Sequence, residues 1–72
     1  MEIDPNLEQE ALEEAFQRYP EMRSFHPRLQ WRALFQGGAF QIVYEVQPPR
    51  EHPDAWEFQN AAVKAYKRLA GA

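Results

Sequence analysis

The amino-acid sequence predicts an α+β fold, ordered helix, β-hairpin, helix, in a single domain covering residues 1–72. Three observations carry this expectation. A Gly37–Gly38 pair separates two alternating runs, LQWRALFQ and AFQIVYEV. An apolar stripe with helical spacing precedes the runs, and a second one follows them.

The first helix is expected over about residues 5–19. Asp4 can cap it with Pro5 in its first turn, and Leu7, Ala11, Leu12, Ala15, Phe16 and Tyr19 recur on one face. Pro20 ends it. Residues 21–27 then read as a connector in which Met22 and Phe25 sit in a single helical turn, while Pro27 disfavours a helical conformation at His26.

The two-residue glycine turn sets the hairpin register, with strands over about 29–36 and 39–46. If Gln36 faces Ala39, the opposed pairs continue back to Leu29 with Val46. One face then collects Leu29, Trp31, Ala33, Phe35, Phe40, Ile42, Tyr44 and Val46, and this face is expected to lie against the helices. The other shows Gln30, Arg32, Leu34, Gln36, Gln41, Val43 and Glu45. A slip of one residue would scatter this segregation, so turn and pattern support each other.

Pro48, Pro49 and Pro53 frame a polar loop, and Asp54 followed by Glu57 has capping-box spacing at the start of a last helix over about 54–70, which Gly71 stops. Ala55, Phe58, Ala62, Ala65, Tyr66 and Leu69 form its stripe, widened by Trp56, Val63 and Ala70 to an apolar sector of roughly 200° at about 100° per residue. A helix resting on one core needs only about 100°, so the excess asks for a second contact.

Composition narrows the functional classes. A chain of 72 residues buries only roughly 60% of its unfolded surface, so its core is marginal. The absence of Cys excludes disulfides, thiolate metal sites and thiol catalysis. No apolar run approaches the roughly 20 residues of a membrane span, and MEIDPNLEQE is acidic where a signal peptide is basic and then apolar, so a cytoplasmic protein is expected. Charge is uneven along the chain. Residues 1–22 carry seven acids against Arg18, residues 23–50 carry four arginines against Glu45, and residues 51–72 balance. Such blocks are ordinarily solvated faces and helix-dipole complements.

Catalytic chemistry finds few carriers. Ser24 with His26 is the one nucleophile and base pair, and its two-residue spacing beside Pro27 suits a turn hydrogen bond better than an activated hydroxyl. His26 and His52, with Glu51 and Asp54 near the second, lack recognised zinc-ligand spacing, so neither metal nor other cofactor is expected. Gly37 and Gly38 lie between strands, where they cradle no phosphate.

The expected function is therefore that of a small non-catalytic protein-binding domain of the inhibitor, antitoxin-like or assembly-factor kind. A lone hairpin has two unpaired edges, and such edges recruit further strands unless blocked. A homodimer is the simplest completion, joined by the strand edges or through Trp56 and Val63 of the last helix. Leu34 and Val43, apolar exceptions on the polar sheet face, make with Arg32 and Gln41 a mixed patch suited to a protein interface. The expected contact residues are Arg32, Leu34, Gln41, Val43, Trp56 and Val63. The alternative is a nucleic-acid-binding module in which Arg23, Arg28, Arg32, Arg50, Lys64, Lys67 and Arg68 converge, against which stand a pI near 5.3 and the acidic first helix.

Overall fold

A computed structural model describes residues 2–47 and 51–71. Pro48, Pro49 and Arg50, which the sequence places at the opening of the loop before the last helix, lie outside the described residues. The chain runs through helix α1 (Pro5–Arg18), a 3-10 turn (Pro20–Phe25), strands β1 (Arg28–Gln36) and β2 (Ala39–Gln47), and helix α2 (Ala55–Gly71). This is the predicted α+β order, with both helices packed on an antiparallel two-stranded hairpin.

The Asp4 carboxylate accepts the free N–H groups of Asn6 and Leu7, at 2.9 and 3.3 Å, and so caps α1. The helix stops one residue short of Tyr19, which precedes Pro20 and turns away to φ −134° and ψ 67°. Steric pressure from the following proline explains the early stop. The 3-10 turn buries Met22 and closes at His26, whose φ of 52° and ψ of 53° are left-handed.

The hairpin register is the one the glycine pair implies, from Gln36 opposite Ala39 to Leu29 opposite Val46, and extends one pair further to Arg28 and Gln47. Gly37 and Gly38 take φ of 61° and 82°. Two successive positive φ angles make a type I′ turn, whose twist matches that of paired strands.

At the start of α2 the capping box does not form. The Asp54 N–H, which Glu57 would accept in that motif, donates instead to His52 Nδ1 at 3.1 Å, because His52 lies just two residues upstream and reaches it first. The far end also differs, since the helix continues through Gly71.

The helices run antiparallel. Tyr19, just past the end of α1, meets Phe58 near the start of α2 edge to face at 6.5 Å, and Asp4 before α1 donates its N–H to the Tyr66 hydroxyl at 3.1 Å. Ala11 and Ala15 of α1, with Ala62 and Ala65 of α2, are all buried. These short side chains let the backbones approach closely while Phe16 and Phe58 stack at 5.3 Å between them. The wide apolar sector of α2 is thereby divided, one flank against α1 and the other reaching the hairpin through Tyr66, while Val63 packs against the core.

The hairpin is covered only at its base. Leu29 and Val46 enter the core and Tyr44 packs against it, its ring 5.3 Å from Tyr66. Beyond that level the face expected to be buried lies open, with Ala33, Phe35, Phe40 and Ile42 all exposed. The helices pack mainly along each other and meet the hairpin only at the level of Leu29, Tyr44 and Val46, so the hairpin tip projects as an arm. Among the described residues, no helix is long and apolar enough to cross a membrane.

Candidate protein-binding surface

The arm presents two faces of different character. On the helix side, Phe35 and Phe40 stand opposite each other and pack edge to face at 5.0 Å, yet they remain 64% and 73% exposed. Beneath them the pair Ala33 and Ile42 sets a small side chain against a large one. None of these four is charged, so the patch can be dried by a partner without desolvating an ion. Leaving rings of this size in water forgoes roughly 1.5–3 kcal/mol each.

The outer face brings together four of the six expected contact residues. Arg32 pairs with Val43 and Leu34 with Gln41 in the ladder, and the Arg32 guanidinium lies 3.9 Å from the Glu45 carboxylate. The other two do not join them. Trp56 and Val63 belong to α2, on the opposite side of the sheet, where Val63 packs against the core and Trp56 is 64% exposed. Trp56 therefore does not fold over α1 to complete the core. Sequence reasoning missed Phe35, Phe40 and Ile42 as surface, because alternation reports which side chains share a face and says nothing of how far the covering helices reach.

The strand edges are closed at the base by helix side chains. The odd-numbered β1 residues and even-numbered β2 residues form the pairs whose N–H groups point outward from a two-residue hairpin. Leu29 donates its outward N–H to the Glu8 carboxylate at 2.7 Å, and Val46 donates to Gln59 Oε1 at 3.3 Å. Glu8 is only 6% exposed and also accepts from Arg28 Nε at 3.1 Å. Its role was hidden in an amphipathic helix pattern that counts any acid as surface.

Of the basic residues of the nucleic-acid alternative, four arginines are paired with carboxylates, while Lys64 is exposed beside Arg18 and Arg68 along the cleft between α1 and α2. Arg23 makes a two-pronged contact to Glu13 at 2.8 and 3.1 Å and lies 4.5 Å over the Phe16 ring. Arg28 pairs with Glu8, Arg32 with Glu45 and Arg68 with Glu14. Lys67 stands 6.0 Å from the Tyr44 ring centre. Arg50 lies outside the described residues.

A second group of polar side chains gathers where the 3-10 turn meets the start of α2. One ligand atom each from Glu21, His52 and Asp54 lies within 4.8 Å of the others. Of the residues considered from sequence, His52 and Asp54 belong to this group and Glu21 was not foreseen. The two carboxyls share a hydrogen bond, which raises the Asp54 pKa, with burial and the Glu21 charge adding to it. Glu21 is held below the usual range by its own backbone N–H and then by Asp54. His52 Nδ1 already accepts the Asp54 N–H, and its ring meets Phe25 edge to face at 5.6 Å. Nearby, the Ser24 hydroxyl donates to the Glu21 carbonyl three residues back at 3.1 Å, rather than bonding to His26 as the two-residue spacing suggested.

Fold and surface together define a small α+β unit: two antiparallel helices packed on the base of a hairpin whose apolar tip stands free. Compared with protein families, curated proteins and solved structures, the chain shows no significant match.

Proposed function

We propose that this chain is a non-catalytic protein-binding domain that engages its partner through the helix-side face of the hairpin arm. The observation that carries the reading is the exposure of Phe35, Phe40 and Ile42 on one uncharged face of a rigidly registered hairpin. Aromatic anchors surrounded by polar residues are the usual energetic centre of protein interfaces. The pairing of Arg23, Arg28, Arg32 and Arg68 with carboxylates favours a protein over a nucleic acid, since phosphates would have to displace four internal ion pairs. A cysteine-free chain suits a reducing cytoplasm, where we place this binding.

The test compares the wild-type chain with Phe35→Glu and Phe40→Glu as baits in native lysate, after circular dichroism shows equal folding. A protein retained by the wild type and lost from both variants supports the reading. Equal retention by all three overturns it.

A further inference from the structure

We propose that the arm's apolar face is occupied by the same face of a second copy of this chain, the two hairpins stacked face to face about a two-fold axis with their tips pointing in opposite directions. This rests on the protein-binding reading and names its partner.

The face is complementary to itself. With the axis lying across the strands at the level of Leu34 and Gln41, β1 stacks on β1 of the second copy and β2 on β2. Phe35 then stands over Ala33 of the other copy, and Ala33 under its Phe35. The small side chain two positions from the large one supplies the hollow that the ring needs. Phe40 meets Ile42 in the same reciprocal way. A two-fold contact requires this reciprocity, residue for residue.

The layer geometry agrees. A second sheet packs at about 10 Å from the first, the spacing at which a helix layer also covers a sheet. The partner's hairpin therefore continues the layer that α1 and α2 begin at the base. Its Gly37–Gly38 tip points toward the helix ends. The face contains no charged residue between Leu29 and Val46, so two copies meet without burying like charges.

The area sets the strength. At their exposures Phe35, Phe40 and Ile42 offer on the order of 350 Å² per copy, taking about 200 Å² for a fully exposed ring. Two copies bury roughly 700 Å² there, below the ~1,200 Å² of standard stable complexes. The dimer is accordingly weak and reversible, forming between the high micromolar and millimolar ranges.

Sedimentation equilibrium over that range tests this, with circular dichroism as the check on folding. The wild type is expected to pass from monomer to dimer mass. Phe40→Ser, at a site 73% exposed in the monomer, is expected to weaken association at least tenfold. Ala33→Phe fills the hollow and is also expected to weaken it at least tenfold, although it adds apolar surface. Leu34→Ser on the outer face and Trp56→Ser on α2 are expected to leave it unchanged. Strengthened association in Ala33→Phe overturns the stacked geometry, as do an unchanged constant in Phe40→Ser or a loss in Leu34→Ser. A wild type that stays monomeric throughout overturns the second copy alone, since the arm's capture of a different protein is read separately from the Phe35→Glu and Phe40→Glu baits.

Discussion

The Leu29 N–H points outward from the edge of β1 and ends on the Glu8 carboxylate at 2.7 Å, tying the first strand to the first helix across 21 residues of sequence. A buried acid whose partners are a backbone donor and an exposed guanidinium is a structural tie.

Removing that tie leaves the Leu29 N–H without an acceptor in a buried site. Glu8→Ala is expected to cost about 2–3 kcal/mol in urea unfolding, the range for a charge-assisted bond whose donor is left buried. Glu8→Gln keeps an acceptor oxygen and should cost less than half as much. Arg28→Ala, whose side chain is largely solvated, should change stability by under about 1 kcal/mol.

The left-handed backbone at His26 is strained, because a side chain with a Cβ rarely takes φ near 52° and Pro27 adds its own restriction. His26→Gly is expected to raise the unfolding free energy by up to about 1 kcal/mol, the relief of strain being partly offset by the greater freedom of glycine in the unfolded chain. A lower thermal midpoint in this variant would contradict the assignment.

The glycine turn separates tolerated from harmful substitutions. Gly37→Asn keeps a residue that accepts φ near 61° in a type I′ turn, and stability should change by under about 0.5 kcal/mol. Gly38→Val forces a branched side chain to φ near 82° and should cost at least about 1–2 kcal/mol, measured by thermal unfolding.

The proximity of the Glu21 and Asp54 carboxyls, which shifts their pKa values in opposite directions, predicts an acid-side signature. The raised Asp54 pKa means that its contribution is complete below the ordinary aspartate value of about 4 and is lost as pH rises through the folded value. The lowered Glu21 pKa means the reverse: its contribution is complete above the ordinary glutamate value and is lost as pH falls through the folded one. The pair is thus most favourable in mildly acid solution, and two carboxylates face each other at neutral pH. Asp54→Asn keeps a donor without the second charge. The midpoint difference between Asp54→Asn and wild type should grow in the variant's favour from about pH 4 to pH 7, and a constant difference would show that no proton is shared.

Register and element order were legible because both rest on local chemistry. The double glycine admits one favourable two-residue turn, and that turn alone places Phe35 opposite Phe40 and Leu29 opposite Val46. The cap at Asp4 was legible for the same reason. What sequence could not supply were relations between separate elements. Whether Phe35 and Phe40 are covered depends on where the helices meet the hairpin, and the burial of Glu8 depends on which strand edge meets α1. The gathering of Glu21 with His52 and Asp54 joins residues about 30 positions apart through a turn that periodicity does not describe.

The side chains that close the strand edges also limit how such sheets can grow. An incoming strand that pairs along the outer edge of either strand runs into Glu8 or Gln59 at the level of Leu29 and Val46, where the outward donor is already taken. Any strand added to this sheet is thereby confined to the projecting half of the hairpin, so the tip carries both the uncovered apolar face and the open length of edge.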